Sequence, residues 1–211
     1  MQTSRVEAFS DGVFAIAVTL LILSVGIDSA PHGDLGTYLV DLWPAYLAYA
    51  VSFLTVGIMW VNHHLLFDNF ASVDRPMLLL NILLLMLIAF VPFPTRIAAE
   101  FARSEVDRRN AALLYGITMT ATAILFFALW MYGSRRLLRA DADPVVVSGI
   151  TRSYLPGTPL YATATFLAFV SSIASLVMFA AIALFYALSA ALFGRTDSTV
   201  ESTASSGDPY S

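Results

Sequence analysis

The sequence predicts an all-α integral membrane protein with six transmembrane helices per subunit and both termini in the cytoplasm. Composition is the first observation behind this. Hydrophobic residues make up 58% of the 211 residues and charged residues only 12%, against about 45–50% and about 25% in soluble domains. The mean hydropathy is +0.76. The third observation is spacing: apolar runs near the roughly 20 residues that a helix needs to cross a hydrocarbon core recur along the chain.

The first run covers residues 6–27. Glu7 and Asp11 stand where the apolar core of a signal peptide would begin, and no small-x-small cleavage site follows, so it reads as a retained helix. Asp28 to Asp34 make a turn before the second span, 39–61. Asp74-Arg75-Pro76 places proline at the start of the third, 76–93, which Pro92 and Pro94 close. The charged run from Arg96 to Arg109 separates it from the fourth, 111–133.

Leu160 to Phe193 is a stretch of 34 residues without a charge. One helix of that length would run about 51 Å, too long for a single crossing even when tilted. Two spans, 157–172 and 175–193, with a turn near Ser171 to Ser175, fit better. Residues 1–193 thus form one transmembrane domain. The Ser/Thr-rich tail, 194–211, lacks apolar anchors and is expected to be disordered.

Charge sets the orientation. All 11 basic residues are arginine, and the formal net charge is −4, with no basic stripe for nucleic acid. With the N-terminus inside and six crossings, Arg5, Arg75, Arg135, Arg136, Arg139, Arg152 and Arg195 lie inside, and Arg96, Arg103, Arg108 and Arg109 outside. Cysteine is absent, which excludes a disulfide framework, a thiol nucleophile and a Cys-ligated metal. With only three histidines besides, two of them adjacent, nothing converges as an enzyme's nucleophile or metal group would.

The polar residues inside the spans carry the functional reading. An acid within a membrane span costs roughly 2.5–3.5 kcal/mol and so usually faces a partner or a wet cavity; alternatively Asp11 sits at the interface and hydrates the helix start. Ile16, Thr19, Leu20 and Leu23 follow at i, i+3, i+4 and i+7, a continuous stripe centred about 130° around the helix from Asp11. A second polar concentration, Trp60 to His64, ends the second span, and Asn81 lies just inside the third. Both fall at about the membrane depth of Arg5, Ser10 and Asp11, because the first and third helices start inside and the second ends there. The expected structural network is therefore Arg5, Phe9, Ser10, Asp11, Asn62, His63, His64 and Asn81.

Two other patterns are set aside. A metal site on His63, His64 and Asp68 is disfavoured, because adjacent histidines on a helix point about 100° apart. Thr55-Val56-Gly57 resembles part of the filter of pore-loop potassium channels, but it lies inside a full apolar span, where helix hydrogen bonds occupy its carbonyls.

The run Arg5-x-x-x-Phe9-Ser10-Asp11, continued by Gly12-Val13-Phe14-Ala15-Ile16-Ala17-Val18-Thr19-Leu20, resembles the signature of the endosomal–lysosomal potassium channel family and its bacterial relatives. The His-rich end of the second span and the six-span layout extend the resemblance over residues 5 to about 193. It implies a potassium-selective channel without a pore loop, assembled in bacteria as a homotetramer in the cell membrane. The first helix of each subunit would line the pore, with Ile16 and Leu23 as apolar constrictions, Thr19 as a nearby hydroxyl layer, and Leu20 between them on the same face. Potassium would be the permeant ion, with no cofactor. By helical phase Arg5 falls on the stripe side, whereas the family places this arginine in the network. The competing reading is a proton- or cation-coupled transporter using Asp11 and His64 as relays. Neither the paired repeats nor the broken mid-membrane helices usual in such transporters are visible.

Overall fold

The computed structural model describes residues 3–26 and 34–205, with side chains as far as Leu188. Where lipid offers no hydrogen bonds, a chain must satisfy its backbone within each segment, and helix does this. Helix α1, Thr3–Leu20, tightens into a 3-10 turn at Leu21–Val25. The Asp34 carboxylate accepts from the Gly36 and Thr37 amides and so starts the short α2, Leu35–Asp41. Then come α3, Trp43–Asp68; α4, Arg75–Phe90; α5, Pro92–Glu100; and α6, Glu105–Arg136. The chain finishes with α7, Pro144–Tyr154; α8, Gly157–Leu167; and α9, Ser172–Ser205. No strand forms among the described residues. One isolated bridge pairs Phe70 with Leu138 and ties the loop after α3 to the loop after α6.

Among the described residues, four stretches are long and apolar enough to cross a membrane: Thr3–Val25, Trp43–Asp68, Arg75–Glu100 and Glu105–Arg136. A shorter apolar stretch, Ser172–Leu188, opens α9. The chain is a multi-pass membrane protein.

The third crossing departs most from the apolar run that announces it. Pro92 and Pro94 do not close it; helix resumes at Pro92 and continues to Glu100. Proline lacks an amide hydrogen, but its fixed φ suits the first turn of a helix, so here it begins α5. The expected fifth span, 157–172, appears as α8 with 11 residues. That is about 16 Å of helix, well short of a core about 30 Å thick. The division before α9 falls close to the expected turn, where the Ser171 hydroxyl accepts from the Ala174 amide at 3.2 Å. Beyond Gly194, where a disordered tail is expected, α9 continues to Ser205. An existing helix extends one bond per residue with no new nucleation cost. Residues 206–211 lie outside the described residues.

Helix α1 packs against α3 and α4, and α6 joins α4 to α8. Phe14, Phe67, Phe70, Met77, Leu84, Ile88, Met119 and Trp130 are fully buried between them. Two glycines let α6 come close to its neighbours. The Phe70 ring sits directly on Gly133, and a methyl on Gly116 would lie 2.6 Å from the Thr165 hydroxyl of α8. Asp74 starts α4 by accepting from the Met77 amide at 3.0 Å, and its second oxygen accepts from the Tyr132 hydroxyl at 2.5 Å. That hydroxyl bond holds the Asp74 carboxyl below its ordinary range.

Gly133→Ala should lower stability by about 1–3 kcal/mol through overpacking, read as a lower thermal midpoint in detergent. Because folding depresses the Asp74 pKa, its contribution is complete above the ordinary carboxylate range. It is lost as pH falls through the depressed value. Melting followed down an acid series should show this loss, and Asp74→Asn, which keeps an oxygen for the cap, should flatten it.

Candidate functional site

Helix α1 has two faces with opposite chemistry. Val6, Ser10, Phe14, Ala17 and Leu21 are buried; at about 100° per residue they fall within an arc of about 80°. Ile16, Leu20 and Leu23 stand on the far side, 61%, 42% and 59% exposed. Thr19 is exposed among them. Leu23 falls in the 3-10 turn that begins directly after Leu20.

The buried face is held by a line of hydrogen bonds across three helices. His63 Nε2 lies 2.9 Å from Asn81 Oδ1, and Asn81 Nδ2 donates to Ser10 Oγ at 3.1 Å. Ser10 Oγ in turn donates to the Val6 carbonyl at 2.8 Å. The direction follows from the amide: with its nitrogen on Ser10, its oxygen faces His63, so the imidazole carries its proton on Nε2. Ser10, His63 and Asn81 are all buried. The His63 ring stacks on Phe67 at 4.5 Å and meets the edge of Phe14 at 5.5 Å. Counting from the helix ends, the line lies about 8–10 Å in from the end where α1 and α4 begin and α3 finishes.

Asp11 lies at the edge of this contact. It is exposed, and its carboxylate accepts from the Trp60 indole at 2.8 Å, linking α1 to α3 beside the buried line. One turn closer to the helix start, the His64 Nδ1 lies 3.6 Å from Glu7 and its Nε2 lies 3.5 Å from Asp68. Glu7, His64 and Asp68 bring one donor atom each within 4.8 Å of one another. The two carboxylates address opposite ring nitrogens, so the ring lies between them rather than offering one nitrogen to a metal shared by all three.

Not every expected member joins the network. Arg5 is exposed and lies about 140° around α1 from Ser10, too far in phase to share its face. Phe9 is 63% exposed, on the stripe side. Asn62 contributes its backbone carbonyl, which accepts from the Tyr154 hydroxyl at 3.4 Å, and not its side chain. His64, displaced by about 100° from His63, turns to the acids rather than to Asn81. Trp60 and Glu7 take part without having been singled out as site residues. Helical spacing carries the signal for both, since Trp60 and His64, like Glu7 and Asp11, stand one turn apart.

These elements define a multi-pass helical membrane protein with a polar lock inside its apolar core. Residues 5–92 match the family described as endosomal/lysosomal potassium channel TMEM175. A potassium channel of Streptomyces collinus is 43% identical over 188 residues, covering 88% of this chain and 91% of that one. The fold resembles the crystal structure of a lysosomal potassium-selective channel TMEM175 homologue from Chamaesiphon minutus, with a TM-score of 0.77 and 39% identity over 88% of this chain and 96% of that one. The endosomal/lysosomal proton channel TMEM175 of Gallus gallus is 39% identical over 139 residues, covering 62% of this chain and 28% of its own length. The chain belongs to the TMEM175 family.

Asn81→Leu should leave the buried His63 Nε2 without its partner, costing about 1–3 kcal/mol, while Ser10 keeps its bond to the Val6 carbonyl. Asp11→Ala, at an exposed bond, should cost clearly less. Thermal unfolding of both variants in detergent checks the order.

Proposed function

We propose that the chain is one subunit of a homotetrameric, potassium-selective channel. In this reading it crosses the membrane six times, keeps both termini in the cytoplasm, and lines the pore with α1 of each subunit. The observation that supports it most is the division of α1. One face is tied into the subunit by the Ser10 line, while Ile16, Thr19, Leu20 and Leu23 are left outside any partner in the single subunit. A stripe so placed is free to meet copies of itself around an axis.

Four isoleucines converging on that axis form an apolar neck, which gates by dewetting and raises the barrier for hydrated ions. Potassium sheds its water at lower cost than sodium, so a narrow neutral neck favours it. The Thr19 hydroxyl donates its hydrogen to the Ile16 carbonyl at 2.9 Å. Its oxygen lone pairs are then left to face a cation that has lost water. Leu20 and Leu23 extend the neck. Asp11 lies outside the ion path in this arrangement, turned toward Trp60.

Ion flux from liposomes containing the purified protein, under separate potassium, sodium and proton gradients, tests the reading. Potassium should flow down its own gradient with no coupled ion. Flux that saturates and requires a proton gradient would sink the channel reading and favour a transporter relaying through Asp11 and His64. Ile16→Asn should weaken discrimination against sodium by about tenfold, which corresponds to about 1.4 kcal/mol. Unchanged selectivity in that variant places the filter elsewhere.

A further inference from the structure

At the opposite end of the subunit from the Ser10 line, a cavity of about 530 Å³ opens between α3, α5, α6 and α9. Its walls are apolar, with Leu47, Val51, Ala98, Val177 and Phe179 among them, and its mouth carries Arg103 and Arg108. The two arginines are not equivalent. Arg103 pairs with Asp41 at 3.1 Å. Arg108 is half-buried and donates to the Ser172 hydroxyl at 2.9 Å and to the Ala102 carbonyl at 3.1 Å. Both acceptors are neutral, and no carboxylate pairs with Arg108 among the described residues.

A half-buried guanidinium at the rim of a hydrocarbon layer is costly without a counter-charge. Helix geometry gives the depth. Arg108 lies about 5 Å and Tyr115 about 15 Å from the start of α6, so the cavity descends about 10 Å from its charged mouth. Deeper in, the polar groups on its wall are already paired: Ser52 Oγ lies 3.3 Å from the Tyr115 hydroxyl and accepts from Thr95 at 2.8 Å. The space therefore asks for an apolar body below and an anion at one end. Clefts of this size and lining hold small amphiphiles, and the planar guanidinium fork matches the oxygens of a phosphate.

We propose that this cavity is a binding site for an anionic phospholipid, with one acyl chain between α3 and α9 and the phosphate on Arg108. The headgroup supplies the charge Arg108 lacks, and the chain fills the volume that the four helices leave.

The test is native mass spectrometry of the full-length protein in detergent, titrated with palmitoyl-oleoyl phosphatidylglycerol or with phosphatidylcholine of the same chains. The wild type should retain one phosphatidylglycerol per subunit, at least tenfold more tightly than phosphatidylcholine. Arg108→Gln should abolish the preference, and Arg108→Lys should keep most of it. Ala180→Trp, which places a ring in the cavity, should remove retention of both lipids while the oligomer stays intact. Equal retention of the two lipids by the wild type, or an unchanged preference in Arg108→Gln, overturns the proposal. So does an Ala180→Trp protein that keeps its lipid but loses its oligomeric state, since the cavity would then be an interface between copies. If Arg108→Gln fails to fold, the wild-type comparison and Arg108→Lys still decide the question.

Discussion

The line of hydrogen bonds from His63 through Asn81 to Ser10 is the constraint around which the rest of the subunit is arranged. In hydrocarbon, none of these groups has water as an alternative partner, so the three helices that carry them must meet at one depth and in one rotation. A slide of α1 by one turn would break the Asn81–Ser10 and Trp60–Asp11 bonds and leave an amide and an indole unsatisfied. The aromatic packing follows from that position. With His63 fixed, Phe67 stacks on its ring and Phe14 meets it edge-on. Phe70, three residues further along, then reaches the Gly133 surface of α6. Polar specification and apolar packing therefore agree on one arrangement, as a single native state requires.

Helix α3 is the member common to both ends of the structure. Near the end of α1 where the chain starts it supplies His63, Trp60 and His64. Toward the other end it supplies Ser52, bonded to Thr95 of α5 and Tyr115 of α6. Between these anchors its inward side is mostly apolar, with Val56 and Met59 buried and the Thr55 hydroxyl turned back to the Val51 carbonyl. Two short polar clusters separated by a greasy middle hold a helix against rotation more firmly than packing alone. The neighbouring interfaces rely on small residues instead, as at Gly116 against Thr165.

Much of this was legible in the sequence, and the illegible parts share a cause. Scarcity of charge accumulates along the chain, so the membrane class could be read without any contact being known. Ser10, His63 and Asn81 were legible as polar residues at one depth in apolar runs. Their partition was harder. Helical phase already set Arg5 on the stripe side, against the motif; Phe9 belongs to that motif too, and a motif read as a unit hides its outward turn. Pro92 was ambiguous because proline closes one helix and opens the next with the same ring, and only the helical path to Glu100 decides between them. The shortness of α8 could not be seen, since hydropathy is continuous across Leu167 while the helix is not. Trp60 was hidden by its own character, an apolar residue whose one polar atom finds Asp11.

The two faces of α1 answer to different demands with almost no shared atoms. Side chains on the inward face are constrained by hydrogen-bond geometry and ring packing, and those on the outward face by nothing else within the subunit. Substitutions on opposite faces of one helix, with no partner in common, combine close to additively. The outward stripe can therefore drift, lengthen or narrow over evolutionary time while the inward seam stays still. Helix α1 is in effect an exchangeable cartridge in a standing frame, and a designer could rewrite Ile16, Thr19, Leu20 and Leu23 without reopening the question of how the subunit folds.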